Sequence, residues 1–227
     1  MKRSIIMFTL LVAVAAFSIA PVMAQCEPVS VNKRLVCNTG PGYSDNGPYY
    51  VGMKYYFWME IRVDASVNLE GVVVYDRLGA ELMIEGIFDN EADKIANRYP
   101  PWNYNFDFDY SPYARDGEVW INGALEGHLN KSGVEFDEFT IFWTGNSVKV
   151  HFMWDVGDMS AGETRMIWLV VSTDTNPAGH QEYTSCGCYQ LNSGATVKGL
   201  VEVRPDKWRQ VSAESDSIRI EVVCPCV

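Results

Sequence analysis

The stretch SVKVHFMW, residues 147–154, alternates apolar and other side chains without a break. Val148, Val150, Phe152 and Trp154 share one parity; Lys149, His151 and Met153 share the other. In a strand, successive side chains point to opposite faces, so this pattern is a strand with one buried face. A helix would scatter the same four apolar residues around its circumference. Similar short runs, rich in Val, Ile, Tyr, Phe and Trp, recur along the chain at Val29–Val36, Lys54–Val63, Gly71–Tyr75, Glu81–Gly86 and Val119–Ile121. They continue at Phe139–Trp143, Thr164–Ser172, Gly194–Val203 and Ser217–Val223. Turn-forming residues separate them, as at Pro41-Gly42, Asp89-Asn90, Thr144-Gly145-Asn146, Ser160-Ala161-Gly162-Glu163 and Asn176-Pro177-Ala178-Gly179. Each strand must bury one face on another sheet, so the pattern predicts an all-β antiparallel sandwich.

Residues 88–137 break the pattern. IANRYPPWNYNFDFDYSPYARDGEVW crowds prolines, aromatics and acids together with little periodicity. So long a structureless loop is uncommon in a compact domain. It reads as an aromatic-rich insertion at one end of the sandwich, with one hairpin around Val119–Ile121. Tyr99, Trp102, Tyr104, Tyr110 and Tyr113 are the residues there with area to stack on a sugar or a partner; the competing expectation is that they fold back over the sandwich end. Asp107 and Asp109, alternating with Phe106 and Phe108, read as a strand face or a solvated rim.

The first 24 residues have the layout of a secretory signal peptide. Lys2 and Arg3 precede an apolar run, and Val22-Met23-Ala24 places small residues before a cut at Gln25. The run is about 16 residues, short of the ~20 that a spanning helix needs. Residues 25–227 are then expected to form a single sandwich domain without a membrane span. Lys2 and Arg3 leave with the segment and no acid does, so the net charge moves from −11 to −13. A surface this acidic repels nucleic acid and anionic lipid.

Two stretches carry a resemblance. YYVGMKYYFWMEIRVDASVNLEGVVVYDRLGAELMIEG and HFMWDVGDMSAGETRMIWLVVSTDTNPAGHQEYTSCGCYQLNSGATV contain Val51-Gly52, the run from Val72 to Leu78, Trp154-x-x-Gly157 and Gly162-Glu163. In these motifs the chain resembles the conserved-repeat family of secreted archaeal and bacterial surface proteins, a family of unknown function. The resemblance spans most of residues 48–222 outside the insertion. It implies an immunoglobulin-like sandwich in a cell-surface or extracellular protein, usually without catalytic residues. The chain departs from the family pattern in having a single copy and extra cysteines.

The six cysteines are Cys26, Cys37, Cys186, Cys188, Cys224 and Cys226. In an exported chain an even count favours disulfides. If Gly194–Val203 and Ser217–Val223 form the last hairpin, Cys186-Gly187-Cys188 lies beside Cys224-Pro225-Cys226, and Cys186–Cys226 with Cys188–Cys224 become two rungs of one ladder. A tetrathiolate zinc site is the rival, but C-x-C is tighter than the usual C-x₂₋₄-C spacing. Were Val29–Val36 one strand, Cys26 and Cys37 would stand about 36 Å apart, too far to bond. A first strand running parallel to the last would set Cys37 near the other sulfurs and leave Cys26 free or linked to another subunit.

Catalytic motifs are scarce. The three histidines are His128, His151 and His180, and there is no G-x-S-x-G, H-E-x-x-H or glycine-rich phosphate loop. Ser30-Val31-Asn32-Lys33 matches S-x-x-K on a strand without companion motifs and reads as chance. Asp89, Asn90, Glu91 and Asp93 crowd a turn whose oxygens suit calcium, yet the D-x-D-x-D-G loop is missing and a solvated turn is expected. Asn130-Lys131-Ser132 is an N-glycosylation sequon. Lys33 and Asn192 have the chemistry for an isopeptide cross-link, which would cost the chain about 17 Da. No cofactor or metal is expected. The reading that results is a secreted or cell-surface structural or adhesive scaffold whose partner is a surface protein, a glycan or a sister subunit. The alternative is a carbohydrate-binding module using the insertion; a secreted hydrolase would need convergent carboxylates.

Overall fold

The computed structural model describes residues 27–36, 49–51, 55–79, 82–96, 117–121, 124–129, 134–136, 138–143, 150–172 and 185–224. The first sheet holds β1 (Val29–Val36), β3 (Tyr56–Ala65), β11 (Thr164–Ser172), β5 (Met83–Phe88), β6 (Gly117–Ile121) and β7 (Ala124–Leu129), in that spatial order. The second runs β14 (Lys207–Glu214), β13 (Thr196–Arg204), β4 (Leu69–Arg77), β10 (Val150–Met159), β9 (Phe139–Trp143) and β8 (Val134–Phe136). A third, smaller sheet joins β12 (Gly187–Asn192), β15 (Ile218–Val223) and β2 (Tyr49–Tyr50). Pairing is antiparallel except for β5 with β6 and β15 with β2.

The two large sheets pack face to face through the alternation seen in the sequence. Met59, Ile61 and Val63 of β3 and Ile167, Leu169 and Val171 of β11 share one core with Val72 and Val74 of β4 and Phe152 and Trp154 of β10. Each such side chain contributes about 1.5–3 kcal/mol on full burial. The parity in β10 holds from Val150 to Val156 and then slips at a bulge where Gly157 takes φ 75°, so that Met159 also faces inward. A side chain at that φ would be strained, which is why glycine sits there.

The outer face of the first sheet is covered too. Trp58, Phe88, Trp168 and Val170 form a second cluster. Glu60 lies among them, accepting hydrogen bonds from Arg34 Nε at 2.8 Å and Trp168 Nε1 at 3.1 Å. Lys94, from the short helix α1 (Glu91–Ala96), sits 4.5 Å above the Trp168 ring. With both faces of β3 buried, the apolar density of its Phe57–Ile61 stretch has a structural cause.

Three expectations change. Gly194–Val203 does not pair with Ser217–Val223: β13 turns through Pro205-Asp206 into β14, and β15 pairs instead with β12. Among the described residues the first strand does not pair with the last; β1 is an edge of the first sheet, antiparallel to β3. Within 88–137 the expected hairpin is present as β6 and β7 and extends the first sheet; the change is β8, a strand not expected there, which extends the second.

Candidate functional site

Three polar residues converge inside the core: Lys33 of β1, Asp76 of β4 and Asn192 at the end of β12. Lys33 shares its parity with Val29, Val31 and Leu35, so the alternation of β1 carries it inward. Asp76 shares parity with Val72, Val74 and Leu78 and enters the same core from the opposite sheet. Asn192 arrives beside them because β12 has a register shift between Gln190 and Asn192, and because a bridge ties Asn192 to Leu78.

The Asp76 carboxylate joins the other two. Its Oδ2 accepts from Lys33 Nζ, and its Oδ1 accepts from Asn192 Nδ2 and from the Arg77 backbone N–H at 2.8 Å. Asn192 Oδ1 accepts from the Gly194 N–H. The side chains of Lys33 and Asp76 are 0% exposed, and Asn192 is equally closed to solvent. Burial pushes the Lys33 amine below its ordinary 10.5, while the charge of Asp76 and its hydrogen bond pull the other way and are outweighed. The lysine amine is thus held by the same carboxylate that holds a carboxamide.

Ser30 is exposed on the opposite face of β1 from Lys33, so the two do not form a site. Asp89, Asn90 and Asp93 cap α1: Asn90 Oδ1 accepts from the Asp93 N–H at 2.8 Å, and Asn90 Nδ2 donates to Asp89 and Asp93. No group of three or more His, Cys, Asp or Glu gathers as metal ligands among the described residues. His151 stacks on Phe142 at 5.3 Å. His180, Asn130 and the aromatics Tyr99, Trp102, Tyr104, Tyr110 and Tyr113 lie outside the described residues, as do Cys26, Cys37 and Cys226.

The sulfur pairing differs from the expected ladder. Cys186 bonds to Cys224, with their Cα atoms 5.4 Å apart. The β12–β15 register sets Cys188 opposite Glu221, three residues short of Cys224. Cys188 is exposed and unbonded among the described residues. The expected register assumed the wrong hairpin partner; with β14 intervening, β15 meets β12 on a different alignment.

No family model matches the chain. An uncharacterised protein of Archaeoglobus fulgidus is 43% identical over 56 residues, which is 25% of this chain and 20% of that protein. The chain therefore spans only a fifth of that relative's length. Among solved structures, the full-length major pilin SpaD of Corynebacterium diphtheriae aligns with TM-score 0.37 and 10% identity over 84% of this chain and 35% of the pilin. The RrgA Jo.In complex aligns with TM-score 0.33 and 14% identity over 83% and 79%. BslA, a bacterial hydrophobin, aligns with TM-score 0.31 and 9% identity over 88% and 96%. No residue role passes from any of these to this chain.

Proposed function

We propose that this protein is a non-enzymatic structural or adhesive scaffold, secreted or displayed at the cell surface. One observation carries the reading: the polar cluster of Lys33, Asp76 and Asn192 is sealed in the core, where it meets no dissolved substrate and braces the fold instead. The Cys186–Cys224 disulfide supports it, since such bonds persist in oxidising compartments. The layout of residues 1–24 points to export. The scaffold acts by holding surface loops in place for a surface protein, a glycan or a sister subunit.

The test is protease treatment of intact native cells followed by immunodetection in cells and medium. The protein is expected in the medium or degraded on the cell surface; recovery of intact protein from the cytosol contradicts the reading. A glycan array run beside it separates adhesion to proteins from sugar recognition. Sugar binding lost in Trp102→Ala and Tyr104→Ala would assign the carbohydrate-binding alternative.

A further inference from the structure

We propose that Lys33 Nζ and Asn192 Cγ become joined by an amide bond that the protein forms on itself, with Asp76 as the acid–base group. The inference goes beyond the scaffold reading and does not depend on it.

Amide exchange between an amine and a carboxamide needs an unprotonated nucleophile, a polarised carbonyl and a route for protons to the leaving nitrogen. The site holds all three. Desolvation favours the neutral form of the Lys33 amine, as it does for nucleophilic lysines generally. The Gly194 N–H donates to Asn192 Oδ1, the atom on which negative charge develops when Cγ is attacked. Asp76 touches both reacting groups at once, Lys33 Nζ through Oδ2 and Asn192 Nδ2 through Oδ1. It can take a proton from one and return it to the other without moving.

The step balances. The Nζ–Cγ bond forms and the Cγ–Nδ2 bond breaks. Lys33, counted from its ammonium, hands one proton to Asp76 to become the neutral nucleophile, loses a second once the bond has formed and ends as an amide N–H. Both protons travel to the departing nitrogen, which leaves as ammonium, and Asp76 finishes as the carboxylate it was. Nothing is oxidised or reduced, and no co-reactant is required. Burial excludes the water that would otherwise hydrolyse the Asn192 carboxamide.

The positions also suit a brace. β1 is the edge strand of the first sheet, and β12 belongs to the third. Among the described residues β1 is hydrogen-bonded in its sheet to β3 and to no second strand, so a covalent link from its centre to β12 fastens an edge element.

The test is peptide mapping of the full wild-type chain, purified and shown to be folded by a single cooperative melting transition. After reduction, alkylation and proteolysis, the peptides bearing Lys33 and Asn192 are expected as one species, lighter than their sum by about 17 Da. Their separate recovery as the major forms overturns the proposal. So does a loss of ammonia confined to one peptide, as from cyclisation at Gln25 or a succinimide at Asn192. A loss of about 18 Da joining Lys33 to Asp76 overturns it as well. Lys33→Arg and Asn192→Ala are each expected to abolish the joined species. Asp76→Asn, or Asp76→Ser where the first does not fold, is expected to cut its yield at least about tenfold; undiminished yield contradicts the role of Asp76. The wild-type map decides the bond whether or not the variants fold.

Discussion

At the residue scale, a lysine and an aspartate in a hydrophobic core are costly, and removing one partner of such a pair typically destabilises by about 3–5 kcal/mol. Lys33 and Asp76 therefore need a reason to be inside, and a part in forming the amide supplies one. A pH dependence follows where the amide cannot form. In Asn192→Ala, Lys33 keeps its amine, whose folded value lies below the 10.5 of the unfolded chain. Between those two values the unfolded chain binds more protons, so stability rises with pH across that window and levels off above 10.5. Urea midpoints at stepped pH, referenced to Lys33→Met/Asn192→Ala, should show this rise, and the cross-linked wild type should lack it. Much of the site was legible in the sequence at this scale. Lys33 falls on the parity of Val29 and Val31, and Asp76 on that of Val72 and Val74, so two opposite charges were written onto core faces. Asn192 was named with Lys33 for its carboxamide chemistry and not for its position, which depends on a register shift in β12 that no period reveals. Asp76 went unnamed although its parity marked it.

At the element scale, strands with alternating apolar residues were readable, and strands without them were not. β14, Lys207–Glu214, is a largely exposed edge in which Val211 and Ala213 are half-buried and none is fully buried, so it lacks the run of buried alternate residues that marks β10. Its signal was the Pro205-Asp206 turn, where Asp206 takes φ 58°. Missing that hairpin misplaced β15 and, with it, the sulfur ladder. Gly194 governs the approach of Asn192 to Asp76. It has φ +97°, and a Cβ there would meet the Ser215 carbonyl oxygen at 2.5 Å. Gly194→Ala is expected to destabilise by about 2 kcal/mol or more in urea unfolding and to lower the yield of the joined peptides. The Cys186–Cys224 bridge closes a separation of 38 residues, worth about 4 kcal/mol in the chain-entropy model. Cys186→Ser should lower the urea stability by up to that amount. In the folded wild type, Cys188 should react with a thiol reagent while Cys186 and Cys224 do not.

At the scale of the whole molecule, the sandwich is closed by two kinds of link in complementary places. The disulfide ties β12 to the end of β15, and the inferred amide ties β12 to β1, so both sequence ends of the described fold are fastened near one element. Closing the loop from Lys33 to Asn192, about 160 residues, would contribute roughly 5 kcal/mol by the chain-entropy estimate. The mechanical consequence is larger than the thermodynamic one. Pulled from its ends under reducing conditions, the wild type should keep that loop locked, whereas Lys33→Arg should release about 55 nm of extra contour length at 3.3–3.6 Å per residue. Equal contour lengths in single-molecule force traces of the two proteins would contradict the locked sandwich. An architecture that resists extension in this way suits a scaffold exposed to shear or traction outside the cell.

The most direct measurement is a crystal structure of the wild-type protein at a resolution that separates bonded from hydrogen-bonded atoms. Continuous density should run from Lys33 Nζ to Asn192 Cγ at an amide bond length of about 1.33 Å, with Asp76 beside it and no Nδ2 nitrogen on Asn192. Two separate side chains, each hydrogen-bonded to Asp76 with the Asn192 carboxamide intact, would contradict the account.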